Sequence, residues 1–268
     1  MSLVDPAITS GDNPKVKNFL SLKKETGFFF IEGKKIAFEA LKAGIRPETL
    51  AATPEFLFDL NQADVYYKLK KNSKDSFVAS EKIFRKLCET EEPQGLAFVA
   101  AKETHSPEKA LAGVGKISIT VILDGINDPG NFGTIIRTCK AASVAAIITS
   151  KGSVSKYNPK VVRATMGAIF GMNIIEGVEL TEYIKYLKEK KVLIIATDLK
   201  AKKNFWDAKI DLPVALVFGN ETHGISKIVL EQSDLNVKLP INGDIDSLNL
   251  SVSTGIMIYE LVRKFKLF

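Results

Sequence analysis

The chain has 268 residues, of which 46% are hydrophobic and 25% charged, an ordinary balance for one or two globular domains. No run approaches the roughly 18 apolar residues of a membrane span, and the N-terminus lacks the pattern of a secretory signal. Two cysteines and two histidines are too few for a disulfide framework or a zinc site. We therefore expect a metal-free protein of the reducing cytoplasm.

The formal net charge of +6 is unevenly distributed along the chain. Residues 1–108 hold 16 Lys and Arg against 16 Asp and Glu, whereas residues 109–268 hold 21 against 15. The first part nevertheless has an early lysine cluster, which includes Lys15, Lys17, Lys34 and Lys35. Single surface lysines are often only solvated, but a cluster on one face would bind the phosphates of a nucleic acid.

The first hundred residues predict a small α/β module. The run FFFIEG at 28–33 indicates a buried strand, and residues 34–44 indicate an amphipathic helix with Gly44 as its C-cap. Short strands at 76–80 and 95–101 are predicted around a helix at 81–89.

A domain boundary is predicted in the polar stretch 102–116, which contains Pro107, Gly113 and Gly115. We place the first domain at 1–108, a linker at 109–116 and the second domain at 117–268.

The second domain alternates between strand-like and helical patterns, which is typical of an α/β fold. Near-continuous Val, Ile and Leu predict strands of a buried, mainly parallel sheet at 117–123, 144–149, 192–197, 214–218 and 235–239. Helices are predicted between and after them at 132–142, 158–170, 181–190 and 249–265.

The glycine pattern argues against a dinucleotide-binding fold. Such a fold carries G-x-G-x-x-G directly after its first strand, where the glycines let the backbone approach a pyrophosphate. Here Gly113 and Gly115 precede the strand, and Gly130 and Gly133 follow it at the wrong spacing. A nucleotide-dependent oxidoreductase would therefore lack its phosphate loop.

Three segments carry the chemistry: 127-NDPGNFGTIIRT-138, 217-VFGNETHGIS-226 and 239-LPINGDIDSLNLSVSTGIMIYE-260. Each sets Gly, Asn or a turn pair beside an apolar run and adds polar side chains that can act on a substrate. Together they resemble the three motifs of the SpoU/TrmH branch of the SPOUT methyltransferases, which methylate a ribose 2'-hydroxyl of RNA with S-adenosylmethionine. The N-terminal module also resembles the substrate-binding domain of many such enzymes, whose fold is similar to ribosomal RNA-binding proteins.

The resemblance implies a parallel sheet whose C-terminal segment forms a deep trefoil knot, with S-adenosylmethionine held mainly by backbone groups. It assigns the cofactor contacts to Gly219, Leu239 and Leu248, with Thr197 as a weaker candidate. It also implies a homodimer. The C-terminal helix fits a dimer interface because it has more apolar residues than one core face needs, namely Ile256, Tyr259, Leu261 and Val262.

The catalytic residues that the resemblance implies are Arg137, Asn131, Glu221, Ser247 and Asn249. Arg137 would meet the reacting ribose, either as a base or as an electrostatic stabiliser of the developing alkoxide. Asn131 would orient Arg137 or the ribose, and Glu221 would pair with Arg137 or fix the substrate loop. Ser247 and Asn249 suit both the reaction centre and the cap of the last helix. Lys156, Lys160 and Arg163 would form a strip that binds RNA phosphates.

The substrate is less strongly indicated than the reaction. The additional N-terminal domain favours large-subunit ribosomal RNA, while a tRNA 2'-O-methyltransferase and a non-catalytic RNA-binding protein of the same fold remain alternatives. The intact set of five polar residues argues against the non-catalytic alternative. Which nucleotide is modified, and whether the role is housekeeping or antibiotic resistance, is not encoded in any pattern of the chain.

Overall fold

The computed structural model describes residues 5–103 and 118–267 and divides the chain into two compact units. The N-terminal unit comprises Met1–Thr104 together with Tyr157–Gly171, and the C-terminal unit comprises His105–Lys156 and Met172–Phe268. The predicted linker at 109–116 lies outside the described residues. The predicted end of the first domain at 108 and the predicted start of the second at 117 lie outside them as well. None of the helices in the described ranges has the length and apolarity needed to span a membrane.

The N-terminal unit is built on a four-stranded sheet of order β1-β4-β2-β3. Its strands are β1 Phe28–Glu32, β2 Pro47–Ala52, β3 Asp75–Val78 and β4 Leu96–Ala101. Strand β4 runs antiparallel to both β1 and β2, and β2 is parallel to β3. Its helices are α1 Pro14–Lys24, α2 Lys34–Lys42, α3 Pro54–Phe58, α4 Leu60–Asn72 and α5 Glu81–Leu87. The predicted elements of this module are confirmed, with Gly44 one residue beyond the observed C-cap Ala43.

Several elements of this unit have no clear signal in the sequence. Helix α1 has a good start, because the Asn13 side chain accepts from the Lys15 amide at 3.0 Å and Pro14 stands at the first position. Only Val16 and Phe19 of α1 are buried, so its apolar pattern is too sparse to predict a helix. Strand β2, with sequence PETLAA, begins with proline, contains Thr49 as its single β-branched residue and has no aromatic residue, so it lacks the composition that marks strands.

The C-terminal unit contains a seven-stranded sheet of order β7-β6-β5-β10-β8-β11-β9, and every pairing in it is parallel. Its strands are β5 Ile119–Asp124, β6 Ala146–Ser150, β7 Ile174–Val178, β8 Leu193–Thr197, β9 Lys203–Asn204, β10 Val214–Gly219 and β11 Leu235–Lys238. The later helices are α6 Pro129–Ala141, α7 Pro159–Thr165, α8 Leu180–Glu189, α9 Lys227–Gln232 and α10 Leu250–Phe265. The five predicted strands and the parallel arrangement are confirmed, and β7 and β9 are additional edge strands.

Parallel pairing brings the C-terminal ends of these strands to one side of the sheet, which we call the carboxyl edge. In register, Gly219 of β10 lies opposite Asp124 of β5, and Val237 of β11 lies opposite Thr197 of β8. Ligands of open α/β sheets bind at this kind of edge, where the connecting loops begin. The carboxyl edge is therefore where a functional site is expected.

The segment 157–171 lies within the N-terminal unit although it follows β6 in the chain. The Tyr157 ring packs on Phe29 with centroids 4.7 Å apart, and its hydroxyl accepts from the Glu103 amide at 3.1 Å. Helix α7 buries Val161, Val162 and Thr165. The helix predicted at 158–170 therefore ends early.

Backbone geometry explains the early end of α7. Met166 and Gly167 follow it with positive φ angles of 51° and 93°. A Cβ at Gly167 would lie 2.6 Å from that of Glu39, so this turn fits closely on α2. Glycine tolerates both the positive φ and the close approach.

We predict that Tyr157→Ala loosens the segment 157–171 without unfolding the rest of the chain. The variant loses the ring contacts with Phe29 and Lys102 and the hydrogen bonds to the backbone of Glu103, together worth about 1–3 kcal/mol. Backbone amides of α7 should then exchange with solvent about 10- to 100-fold faster in hydrogen-exchange mass spectrometry.

Tyr186→Ala is the matched control, because Tyr186 lies on α8 with 36% of its side chain exposed. It should leave the exchange of α7 unchanged. Unchanged α7 protection in the Tyr157 variant would show that this side chain does not anchor the segment.

Candidate active site

The first predicted motif forms the start of α6, directly after β5. The Asp128 side chain caps the helix by accepting from the Asn131 amide at 2.6 Å, and Pro129 occupies the first helical position. This combination of an aspartate cap and a following proline is a strong helix start. It fixes Asn131 in the first turn of α6.

The second motif is a tight loop after β10. The Asn220 side-chain oxygen accepts from the amides of Thr222 and His223, and its nitrogen donates to the Gly125 carbonyl at 2.7 Å. Close by, the Asp124 carboxylate accepts from the Ser226 amide at 2.9 Å. The loop 220–226 is thus fastened to the end of β5, and it presents Glu221 toward α6.

Asn131 joins all three motifs. Its side-chain nitrogen donates to Glu221 Oε1 at 3.1 Å, and its oxygen accepts from Asn249 Nδ2 at 3.0 Å. These partners are 90 and 118 residues away in the chain. Asn249 in turn caps α10, because its oxygen accepts from the Ser251 amide at 2.9 Å.

The chemistry of these groups fixes the direction of each hydrogen bond. A carboxylate can only accept, so the Asn131 amide must turn its NH₂ group to Glu221 and its carbonyl to Asn249. The carbonyl of Asn249 is then left to accept backbone N–H groups. We call these three side chains, Asn131, Glu221 and Asn249, the amide bridge.

Arg137 lies on the same helix as Asn131 but takes no part in the amide bridge. Its side chain is exposed, and it makes no hydrogen bond or ion pair with any residue in the described ranges. Of the alternatives considered for these residues, the pairing of Arg137 with Glu221 and its orientation by Asn131 are not present in this structure, because Asn131 and Glu221 bind each other. A guanidinium with all donors free is suited to bind a phosphate or an alkoxide.

Ser247 and Asn249 have different positions at the third motif. Asn249 is the N-cap of α10, as predicted. Ser247 is exposed in the loop before it and does not cap the helix, so that part of the prediction is wrong. In the chain, Ser247 lies two positions before Asn249, which is a member of the amide bridge.

The residues expected to hold the cofactor lie at the carboxyl edge or at the start of α10. Leu239 directly follows β11, Leu248 precedes Asn249, and both are half-buried. The Thr197 hydroxyl donates to the Val217 carbonyl at 3.1 Å and thereby joins β8 to β10.

Gly219 has a structural reason to be glycine that the sequence did not reveal. A Cβ there would overlap the carbonyl carbon of Gly224 and the amide nitrogen of Ile225. The close backbone approach that we expected at Gly219 is thus made by the protein's own loop.

The basic residues predicted to bind RNA differ in how accessible they are. Lys156 is buried, and its ammonium donates to the Ile174 carbonyl at 3.2 Å, so its place in a phosphate-binding strip is wrong. Lys15 and Lys17 are bound to Asp75 and Asp12 at 2.6 and 2.9 Å.

The other four predicted RNA contacts all lie in the N-terminal unit. Lys34 and Lys35 are exposed at the start of α2, and Lys160 is exposed on α7. Arg163 is half-buried, with its guanidinium 3.6 Å from Glu89.

Within the described ranges, the structure provides neither a reactive thiol beside the amide bridge nor a cluster of metal-binding side chains. Burial raises the pKa of the Cys139 thiol, which lies on α6, well above its ordinary value, so this group is not a thiolate nucleophile at neutral pH. No group of three or more His, Cys, Asp or Glu side chains is placed to bind a metal ion within residues 5–103 and 118–267.

Comparison with known protein families identifies the family to which the chain with this site belongs. Residues 118–259, more than half of the chain, match the SpoU rRNA Methylase family. This chain belongs to the SpoU rRNA Methylase family. Residues 13–97 of the methylase match a second family, the MRM3-like substrate binding domain.

Individual relatives agree with this assignment. A 23S rRNA guanosine 2'-O-methyltransferase of Bacillus subtilis is 34% identical over 261 residues, which cover 95% of this SpoU methylase and 98% of the relative. A putative TrmH family tRNA/rRNA methyltransferase of Staphylococcus epidermidis is 34% identical over 149 residues, or 56% of this chain and 60% of that protein.

Solved structures extend the likeness to the whole fold. An rRNA methyltransferase from Sinorhizobium meliloti with bound AdoMet superimposes with a TM-score of 0.84 at 29% identity, covering 97% of this chain and 98% of that one. An RNA 2'-O ribose methyltransferase gives a TM-score of 0.80 at 29% identity, covering 98% and 100%.

Sequence reasoning missed the residues that hold the SpoU motifs in place. Asn220 and Asp124 fasten the loop after β10, and Asp128 caps α6. The signal for Asp128 was present, because an aspartate followed by proline is a common helix start. Asn220 and Asp124 act across the sheet, and no local pattern marks such contacts.

We predict that Asn131→Asp makes the stability of the protein depend on pH. The substitution sets a second carboxylate against Glu221, which raises the pKa of the pair in the folded state. The folded protein then binds more protons than the unfolded chain, so stability falls as pH rises above the ordinary carboxyl pKa of about 4. Thermal unfolding should show a loss of about 1–3 kcal/mol at pH 8 and a smaller loss at pH 5.

The double variant Asn131→Asp with Glu221→Gln is the control. The new glutamine amide can donate to the new aspartate, whose other oxygen still accepts from Asn249. Most of the stability should return, and its dependence on pH should fall to that of the parent. An equal loss in the single and double variants would contradict the amide bridge.

Proposed function

We propose that the chain transfers a methyl group from S-adenosylmethionine to a ribose 2'-hydroxyl of large-subunit ribosomal RNA. The observation that carries the proposal is the amide bridge at the carboxyl edge, on the same helix as an arginine that pairs with none of the described residues. The near full-length likeness to the Bacillus subtilis 23S rRNA enzyme supports the choice of RNA. The shorter tRNA/rRNA relatives keep tRNA as the alternative substrate.

We infer that the C-terminal segment forms the trefoil knot and that the cofactor is held at Gly219, Leu239 and Leu248, with Thr197 at its rim. The donor set fits such a molecule. Backbone groups of the loops at the carboxyl edge supply hydrogen bonds for an adenine, and two half-buried leucines supply apolar contact. When bound, S-adenosylmethionine supplies an activated methyl group that needs no metal.

The chain's own task is then to align the ribose and to stabilise charge. As the oxygen–carbon bond forms, the methyl–sulfur bond of the donor would break with its electron pair going to sulfur, and the 2'-hydroxyl proton would pass to solvent water. The oxygen would carry partial negative charge while this proton departs. A guanidinium offers only hydrogen-bond donors and no acceptor, so we assign Arg137 to phosphate binding and to stabilising this oxygen rather than to proton abstraction. Asn131 and Asn249 keep the helix starts in place, and Ser247 contributes a hydroxyl beside them.

Recognition of the RNA is assigned to exposed cations of the N-terminal unit. Lys34 and Lys35 make no ion pair within the described residues, and Lys160 is exposed on α7. Lys15 and Lys17 must exchange a carboxylate for a phosphate, so we expect smaller contributions from them. Arg163 can bind RNA only by releasing Glu89.

We also propose a homodimer that uses the exposed face of α10. Val252, Ile256 and Tyr259 form a stripe with 49%, 38% and 46% of their side chains exposed. Leu261 and Val262, which we had counted toward the interface, lie in the core instead. An exposed apolar stripe on a helix that already buries another apolar face indicates an interface.

The direct test of the proposed function has two parts. Titration with S-adenosylmethionine and with NAD(P) separates a methyltransferase from an oxidoreductase. Mapping of ribose methylation across total RNA, from cells with and without the gene, then identifies the substrate. A methylation site lost only from tRNA would replace the ribosomal assignment.

We predict that Arg137→Ala leaves the affinity for S-adenosylmethionine nearly unchanged and lowers single-turnover methyl transfer about 100- to 1,000-fold, the usual cost of losing one transition-state donor. Lys140→Ala, three residues further on the same helix and also exposed, is the control and should keep parental turnover. Transfer within a few-fold of the parent in the Arg137 variant would remove the assigned role.

We predict that Ile256→Glu converts the dimer to a monomer at micromolar concentration, because a charge would be buried without a partner in an apolar interface. Light scattering measures the change. Ile228→Glu, at an isoleucine of α9 that is 54% exposed, is the control and should stay dimeric. A parent protein that is itself monomeric would contradict the proposed interface.

A further inference from the structure

An exposed tryptophan stands at the carboxyl edge and has no role in the function proposed so far. Trp206 is the single tryptophan of the sequence, and 48% of its side chain is exposed. It lies in the 3-10 turn Phe205–Asp207, directly after β9. An exposed tryptophan leaves a large apolar area in contact with water. Burial of this area would stabilise the fold, so the exposure calls for a physical explanation.

The backbone around Trp206 is anchored. Phe205 is almost fully buried, and its ring meets that of Trp206 edge to face at 5.5 Å. On either side, Ala201, Ala208 and Ile210 are also buried. The anchors hold the segment against the core, so the indole ring is displayed on a fixed support.

The strand order places this ring near the candidate active site but outside it. Strand β9 is parallel to β11 with Asn204 opposite Lys238, so the turn begins at the same edge as Leu239. The order β10-β8-β11-β9 puts three strand spacings between Gly219 and this turn. At about 4.8 Å for each spacing, the separation is roughly 14 Å. This distance suits a nucleotide that neighbours the acceptor nucleotide.

The charges around the ring are mainly positive. Lys202, Lys203 and Lys209 are exposed, and none of them has an ion-pair partner in the part of the chain that the structure describes. The Lys264 ammonium of α10 donates to the Ala208 carbonyl at 3.5 Å, which brings a fourth cation to the segment. Asp207, also exposed, opposes them in part.

We propose that Trp206 stacks on an unpaired base of the RNA substrate while Lys202, Lys203 and Lys209 contact the adjoining phosphates. An aromatic ring set among free cations is the usual platform for single-stranded RNA, because every base has a face that can stack. A protein partner fits less well, since lysine is depleted at the core of protein interfaces. The assignment rests on the proposed function. It adds an RNA contact in the C-terminal unit to the contacts proposed in the N-terminal unit.

The single tryptophan makes the full-length protein its own reporter. Emission from Trp206 should be quenched by a mixed-sequence single-stranded RNA of about twelve nucleotides, a length within the range that single-strand binding folds cover. The same RNA annealed to its complement should quench far less, and S-adenosylmethionine alone should leave the emission unchanged. Quenching by S-adenosylmethionine would assign the ring to the cofactor and overturn the proposal. So would RNA binding, seen by anisotropy of a labelled strand, with unchanged tryptophan emission.

Substitutions supply the second measurement. Trp206→Ala should weaken binding of the single strand about 10- to 100-fold, the range expected for losing one stacked base. Trp206→Phe should stay within a few-fold of the parent, because it keeps an aromatic face. Ile228→Ala, at another exposed apolar residue of the C-terminal unit, is the control and should bind as the parent does. Parental affinity of Trp206→Ala would overturn the proposal.

Enzyme kinetics separate this proposal from the proposed function. If the chain methylates RNA, Trp206→Ala should raise KM and leave kcat within a few-fold, because the ring is distant from the reacting atoms. A parent protein without methyl transfer would remove the proposed function, while the quenching of Trp206 by single-stranded RNA would still be measurable. A variant with lowered kcat and unchanged KM would place Trp206 in the chemistry and overturn its role in RNA binding.

Discussion

One asparagine side chain holds the three motifs of this methylase together. Asn131 donates to Glu221 and accepts from Asn249, so the first turn of α6, the loop after β10 and the cap of α10 share a single hydrogen-bonded group. Removing one partner of a hydrogen bond to a charged group costs about 1.5–3 kcal/mol. The larger effect is geometric. The bridge sets where α10 begins relative to α6, and it adds to the packing of the two helices further along, where Gly255 comes close to the Thr138 side chain.

The bridge forms only because the parallel sheet delivers its members to one edge. β5 and β10 are neighbours in register, so the loops that follow them start side by side. Asn220 then ties one loop to Gly125, and the lack of a side chain at Gly219 lets the loop fold back on its own strand. Each of these features is ordinary in α/β folds. Together they bring a carboxylate, an amide and a helix cap into contact, although up to 118 residues separate these groups in the chain.

The sequence predicts the parts of this site better than their contacts. Apolar runs located five strands because burial leaves a local pattern, and the resemblance to the SpoU/TrmH family located the motifs. Contacts between distant segments leave none. Nothing near Glu221 indicates that it binds Asn131 in preference to Arg137, and nothing near Lys156 indicates that its ammonium is buried under a strand carbonyl. Long-range partners are therefore where the sequence-based expectations needed correction.

The segment 157–171 shows the same limit at the level of domains. Its sequence lies inside the stretch matched by the SpoU family, yet its helix packs on β1 and α2 of the N-terminal unit. A boundary drawn along the chain therefore assigns Lys160 and Arg163 to the catalytic part, while the structure assigns them to the unit that matches a substrate-binding domain. The chain thus leaves the C-terminal unit after Lys156 and returns to it at Met172, so two separate stretches of sequence build the parallel sheet.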